Sequence, residues 1–323
     1  MKNLYKIFIA AALCGGVIIS CKKIPDGYLS SQIRYPDSPI QIQSGFVVQT
    51  DPVNSDGSSA PVTYTLLDIR NATTHKHADS LYRNQNRYIF ISLFNADVDT
   101  TVTLLNTHRK LISAPCFDFN IHTGAFTFYN TTANVPLGTY EFDVKATNQN
   151  GSKIYKNIGT FTIVQGLPYV LQVGGSAWFT DGTTTSGDTG NPVVDIQQLS
   201  TTGTLAILKL VDEKGVAFDP LKGEIIARGD RSNFETYAKF HPLIVSDTSL
   251  TCNFEVTPFP FQPDPTYGYL IYYRIPSQFV KYDAGITPTA DKIYSANPRV
   301  AFQLLAQGTY LITVHVPYVT RTP

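Results

Sequence analysis

The sequence predicts an all-β chain built as two tandem antiparallel β-sandwich domains, and three observations predict it. Tyr and Phe number 19 each, while charged residues make up only 15 % of 323; aromatic and β-branched residues in excess over helix formers suit half-buried pleated strands. From Tyr140 to Thr147 the residues alternate, with Tyr140, Phe142, Val144 and Ala146 on one face and Glu141, Asp143, Lys145 and Thr147 on the other. That is the pattern of an antiparallel strand with one dry side. The phrase Gly-Thr-Tyr that opens this strand at 138–140 returns at 308–310, and a chain of this length accommodates about two domains.

A signal peptide is expected at 1–20. Lys2 and Lys6 precede an apolar run, Ile7 to Ile19, that ends at Ser20-Cys21. A basic start and a short apolar run describe a secretory signal; a spanning helix would need about 20 apolar residues. Ile18-Ile19-Ser20-Cys21 resembles the bacterial lipobox, which implies cleavage before Cys21 and lipidation of Cys21, and so a membrane partner reached through an N-terminal lipid anchor. Cleavage leaves 23 basic against 25 acidic residues, a net −2. Neither form of the chain has the positive field of a nucleic-acid binder.

Residues 21–44 hold Pro25, Pro36 and Pro39 with no alternating pattern and read as an extended tether. Ser20-Cys21-Lys22-Lys23, followed by Pro-Asp-Gly-Tyr at 25–28 and Ile-Arg-Tyr-Pro-Asp at 33–37, is similar to cell-envelope lipoproteins of Bacteroidota. In particular it resembles an uncharacterised family often found beside SusC/SusD-type outer-membrane glycan-import systems. The resemblance implies outer-membrane anchoring, a glycan ligand and SusC/SusD-like partners. Lys22-Lys23 stands where surface-export signals of that phylum carry acidic residues, so the cell-surface and periplasmic faces both stay open.

The first sandwich is expected over 45–165. Strands at 46–49, 61–69 and 86–94 precede a hairpin at 117–128, and Asn148 to Gly151 turns the alternating strand into another at 153–164. The run from 117 to 164 resembles the closing strands of immunoglobulin-like and cadherin-like sandwiches, which implies a tyrosine corner at Tyr140. Gln165-Gly166-Leu167-Pro168 marks the boundary. The second domain, 166–323, offers strands at 169–173, 193–199, 204–211, 223–228, 250–257, 267–275 and 299–304, a final strand from Gly308, and one short helix at 232–240 with Ser232 as its cap. Cys116 and Cys252 fall in different domains and read as two buried small hydrophobes rather than a bridge.

Chemistry concentrates in the second domain. Val173 to Asn191 holds the only Trp amid Gly, Ser and Thr and reads as a recognition loop. Trp178, Asp181, Asp188 and Asn191 would offer a sugar an indole face and polar groups; the competing reading makes Trp178 the core aromatic of a sandwich. Along Tyr267 to Ile275 the odd positions form an apolar face, while Tyr272 and Arg274 lie on the other and are expected to be exposed. Pro258 to Pro265, with Phe259 and Phe261, would present a partner surface or seal one end of the sandwich. Asp97-Val98-Asp99 and His75-Lys76-His77 are weak metal signals, and no metal or other cofactor is expected. No nucleophile elbow, zinc-protease motif or phosphate loop occurs. Asp212, Glu213, Glu224, Asp230 and Glu235 are the carboxylates that a glycosidase would draw on. The sequence thus predicts a membrane-anchored, non-catalytic lipoprotein that captures oligo- or polysaccharide. The alternatives are a structural or protein-interaction lipoprotein without a glycan site and, third, a glycoside hydrolase.

Overall fold

The computed structural model describes residues 27–229, 231–291 and 293–322. Cys21, the signal peptide and Asp230 lie outside them. The chain is all-β, and its sheets are sandwich-like.

In the first unit, a four-stranded sheet runs in the order Ile40–Gln43, Gly151–Val164, Gly138–Asn148, Thr63–Asn71. The apolar positions of the alternating strand all point inward: Tyr140, Phe142, Val144 and Ala146 are buried. They meet a small sheet of Val48–Gln49, Phe126–Phe128 and Phe117–Phe119. Across the gap Phe126 packs on Phe142 at 5.0 Å and Phe128 on Phe161 at 4.9 Å between ring centroids, distances at which aromatic pairs attract. The Tyr140 hydroxyl donates to the Pro136 carbonyl at 2.7 Å, the bond of a tyrosine corner.

The tether expectation needs correction from residue 27 onward. Ile33 and Tyr35 enter the first core, the Tyr35 hydroxyl donates to the Gly124 carbonyl at 2.6 Å, and Ile40–Gln43 runs parallel to Phe161–Val164 as an edge strand. The prolines break regular pairing here without preventing burial of the apolar side chains between them.

The segment expected to complete the sandwich at 86–94 does something else. Among the described residues Gln85–Phe90 pairs only with Arg109–Ala114, and the residues between carry the helix Val102–His108. Together they make an arm that contributes nothing to the first core.

In the second unit a five-stranded sheet has the order Val193–Ser200, Gly308–His315, Thr204–Val211, Leu250–Asn253, Ile244–Val245. Gly308–His315 is antiparallel to the first of these strands and parallel to Thr204–Val211, so this sheet, like the first unit's four-stranded one, is mixed rather than purely antiparallel. The Tyr310 hydroxyl donates to the Ala306 carbonyl at 2.9 Å, the same four-residue reach as at Tyr140. At Gly308, with φ +157°, a Cβ would come within 2.6 Å of the Ser200 carbonyl oxygen; the strand starts on glycine because nothing larger fits.

The facing sheet runs Ser186–Gly190, Tyr169–Thr180, Arg299–Leu304, Leu270–Arg274, Ile226–Ala227, with Tyr294–Ala296 also paired to Tyr169–Thr180. Phe218, Phe234, Phe302, Tyr310, Ile312 and Val314 fill the space between. The short helix is Phe234–Tyr237, and its cap is Asn233, one residue past the expected Ser232. Cys116 and Cys252 are unpaired and buried in separate cores, and burial pushes each thiol up to about 12.

Candidate functional site

The segment expected to form a recognition loop is a β-hairpin. Ser186–Gly190 pairs with Ser176–Phe179, and Gly187 within it serves packing. A Cβ at Gly187 would fall 2.5 Å from the Trp178 indole; the ring lies flat on that glycine and meets Tyr294 edge-on at 5.2 Å. Trp178 pairs with Ala296, which also bridges Ile275, and both partners are core residues. The indole therefore faces inward, 8 % exposed, which favours the core reading over display to a ligand. Asp181 and Asn191 are exposed, and Asp181 accepts a hydrogen bond from the Ser277 hydroxyl.

Tyr272 and Arg274 occupy the opposite face of the same sheet. Tyr272 is opposite Arg299, and Arg299 is opposite Gly175, so the three share the outward side. The expected exposure of Tyr272 is corrected: it is only 4 % exposed. Arg228 covers it, donating to its hydroxyl at 2.6 Å and stacking over both its ring and that of Phe179. Arg274 is half-buried and donates through Nε to the Asn297 amide oxygen at 3.1 Å. Sequence reasoning missed Arg228 and Arg299, which reach this face from distant strands.

The second place where exposed side chains converge is the junction of the two units, which the arm spans. Arg109, its side chain 3 % exposed, pairs with Glu255 of the second unit at 2.6 Å and lies over the Tyr88 ring at 3.9 Å. His241 also reaches Glu255, at 2.7 Å. Burial alone would raise the Glu255 carboxyl; the bonds from Arg109 and His241 outweigh it and hold the group below its ordinary range. Glu255 adopts φ +57°, a left-handed conformation that costs a non-glycine residue about 1 kcal/mol or more.

Around this latch the aromatic residues form a tier. Phe90 and Phe94 of the arm stack at 5.5 Å, and Phe94 meets Phe261 of the second unit at 4.9 Å. Phe90 and Phe261 are 51 % and 38 % exposed. A cavity of about 350 Å³ lies on one side, between Tyr88, Arg109, Glu255 and Gln307. Another of about 170 Å³ lies on the other, between Asp97, Tyr237, Lys239 and Asp264. Of the tier, only Phe261 carried a sequence signal, through its proline-flanked segment. Phe90 and Phe94 had read as ordinary strand residues.

No protein-family model matches the chain, and no curated protein matches it. Among solved structures the chain is similar to a SusE-like, surface-located polysaccharide-binding protein from the heparin utilisation locus of Bacteroides thetaiotaomicron, at 10 % identity and a TM-score of 0.26. The match covers 88 % of this chain and 53 % of the other, so the chain spans about half that protein's length.

Several of the remaining polar candidates are taken up in structural bonds. His75 and His77 pair with Glu141 and Asp68, while Arg70 bonds Asp68, Glu141 and Asp143. Asp99 accepts from the Asn95 amide and faces His108. Glu224 is fully buried against Arg321, and Asp212 caps the turn that follows it through the Lys214 and Val216 amides. Among the described residues no group of His, Cys, Asp and Glu is placed to hold a metal ion. No described helix is long and apolar enough to cross a membrane.

Proposed function

We propose that this chain is a membrane-anchored, non-catalytic binding protein, lipidated at Cys21, that captures oligo- or polysaccharide for an outer-membrane uptake system of the SusC/SusD type. The observation that carries the reading is the Phe90–Phe94–Phe261 tier at the junction. Sugar rings expose flat faces of C–H bonds that pack on aromatic rings, while their hydroxyls need polar partners nearby. Asp97, Lys239 and Gln307 line the two flanking cavities. The non-catalytic part of the reading is supported by the structural employment of Asp212 and Glu224.

The test is affinity gel electrophoresis on a panel of neutral polysaccharides. At about 0.5–1.5 kcal/mol per ring contact, Phe94→Ala should weaken retention by at least twofold and as much as tenfold. Equal retention of Phe94→Ala, Phe261→Ala and the parent chain would overturn the reading.

A protein-interaction role is the second reading, and the aliphatic residues beside the tier favour it. Leu93 is 96 % exposed, and Ile91 and Val98 are exposed with it; exposed apolar residues gathered in one short segment suit a contact with a protein. A stable partner recovered from native membranes with no glycan retention would support it.

A further inference from the structure

We infer that the outward face of the six-stranded sheet in the second unit is a separate site for an oxyanion-bearing polysaccharide, with Arg274 and Arg299 as its binding residues. Both arginines sit on neighbouring strands of one face, with Tyr272 opposite Arg299 and Arg274 two residues along from Tyr272. As diagonal neighbours their Cβ atoms are roughly 7 Å apart, within reach of one ligand group.

Two features build the site. Asn297, fully buried, donates to the Ser295 carbonyl and hydroxyl and accepts from Arg274 Nε. That fixes the Arg274 side chain while leaving its terminal nitrogens unengaged. At Gly175, a Cβ would stand 2.6–2.8 Å from three guanidinium atoms of Arg299, so the guanidinium lies on bare backbone in a cradle that only glycine leaves open.

Neither arginine meets a carboxylate among the described residues, and the Arg299 guanidinium makes no hydrogen bond there. None of the unengaged nitrogens is among the buried polar atoms that lack a partner, so these N–H groups reach solvent. A planar fork of unpaired donors matches carboxylate and sulfate oxygens. Asp188, which pairs with Ala177 at the hairpin edge, accepts from the Gly190 amide. The near-neutral chain weighs against a nucleic acid as the occupant. The fitting ligand is therefore a polysaccharide bearing uronate carboxylates or sulfate esters.

This inference keeps the ligand class of the reading above but uses none of its residues. The experiment is affinity electrophoresis of the full chain in gels holding dextran sulfate, polygalacturonate or unmodified dextran. The parent chain should be retarded by at least one of the two anionic polymers, and which one identifies sulfate or carboxylate as the group bound. Arg299→Gln and Arg274→Gln should each weaken that retardation about tenfold, the loss expected for one charged hydrogen-bonded contact. Thermal unfolding should be unchanged in Arg299→Gln, while Arg274→Gln also withdraws the donor from the buried Asn297 oxygen and should melt lower. Arg34→Gln, on the first unit, should have no effect. No retardation by either anionic polymer would overturn the inference, as would retardation of both variants equal to that of the parent chain or an equal loss in Arg34→Gln. Phe94→Ala separates the two sites: it should leave anionic retardation intact, so failure at the junction and failure at the arginine face are told apart.

Discussion

The two units share a local device and differ in how they use their arginines. Each starts a long strand on Gly-Thr-Tyr and ties the tyrosine hydroxyl to a carbonyl four residues back. In the first unit the outward face of that sheet carries Arg70, enclosed by Asp68, Glu141 and Asp143. In the second unit the outward face of the six-stranded sheet carries Arg274 and Arg299, neither of which meets a carboxylate among the described residues. An arginine saturated by its own protein contributes to folding, and one left open is available to a ligand. The shared strand opening therefore says how each sandwich is built and nothing about which one binds.

The largest expected effect concerns Trp178, on the inner side of the second unit's six-stranded sheet. Trp178→Ala should destabilise the chain by about 3 kcal/mol, as for other buried tryptophans, read as a lower melting temperature. Retention by any glycan should be unchanged in the fraction that remains folded. A loss of retention with no change in melting would return Trp178 to the ligand site.

Next comes the direct contrast between arginines. Arg70→Gln should cost about 2 kcal/mol, because three carboxylates are left together on a partly shielded face. Arg299→Gln should fall within about 0.5 kcal/mol of the parent. The first network also sets an acid response. Hydrogen bonds from His75 and Arg70 hold the Glu141 carboxyl below its ordinary range, and Arg70 does the same for Asp143. Carboxyls lowered in the folded state contribute stability above their unfolded values, and that contribution is lost as pH falls through the folded ones. In urea titrations the difference between the parent and Arg70→Gln should therefore narrow below about pH 4. A constant difference across the titration would break the assignment of Arg70 as structural.

The smallest effect concerns the two corners. Tyr310 also accepts from Gln198 Nε2 at 3.0 Å, and the Tyr140 hydroxyl is also bonded by the Ser80 side chain. Tyr310→Phe and Tyr140→Phe should each cost about 1–2 kcal/mol by denaturant unfolding. A cost at only one of them would mean that the two corners do not act alike.

The sequence by itself determined what depends on neighbours along the chain. Alternation at 140–147 assigns the buried face of a strand, Asn148 to Gly151 assigns a turn, and two cysteines in separate predicted domains point to two buried thiols. Each rests on period-2 geometry or on local backbone preference. Only the tertiary structure decided which faces look outward and what covers them. Trp178 faces inward because its strand pairs with Tyr294–Ala296, more than 110 residues away, and Tyr272 is hidden because Arg228 folds over it. The arm, the Arg109–Glu255 latch and the Phe94–Phe261 contact likewise join residues with no mark of one another in the chain. Register between distant strands is set by the packing of the whole sandwich. So is the difference between a saturated arginine and an open one.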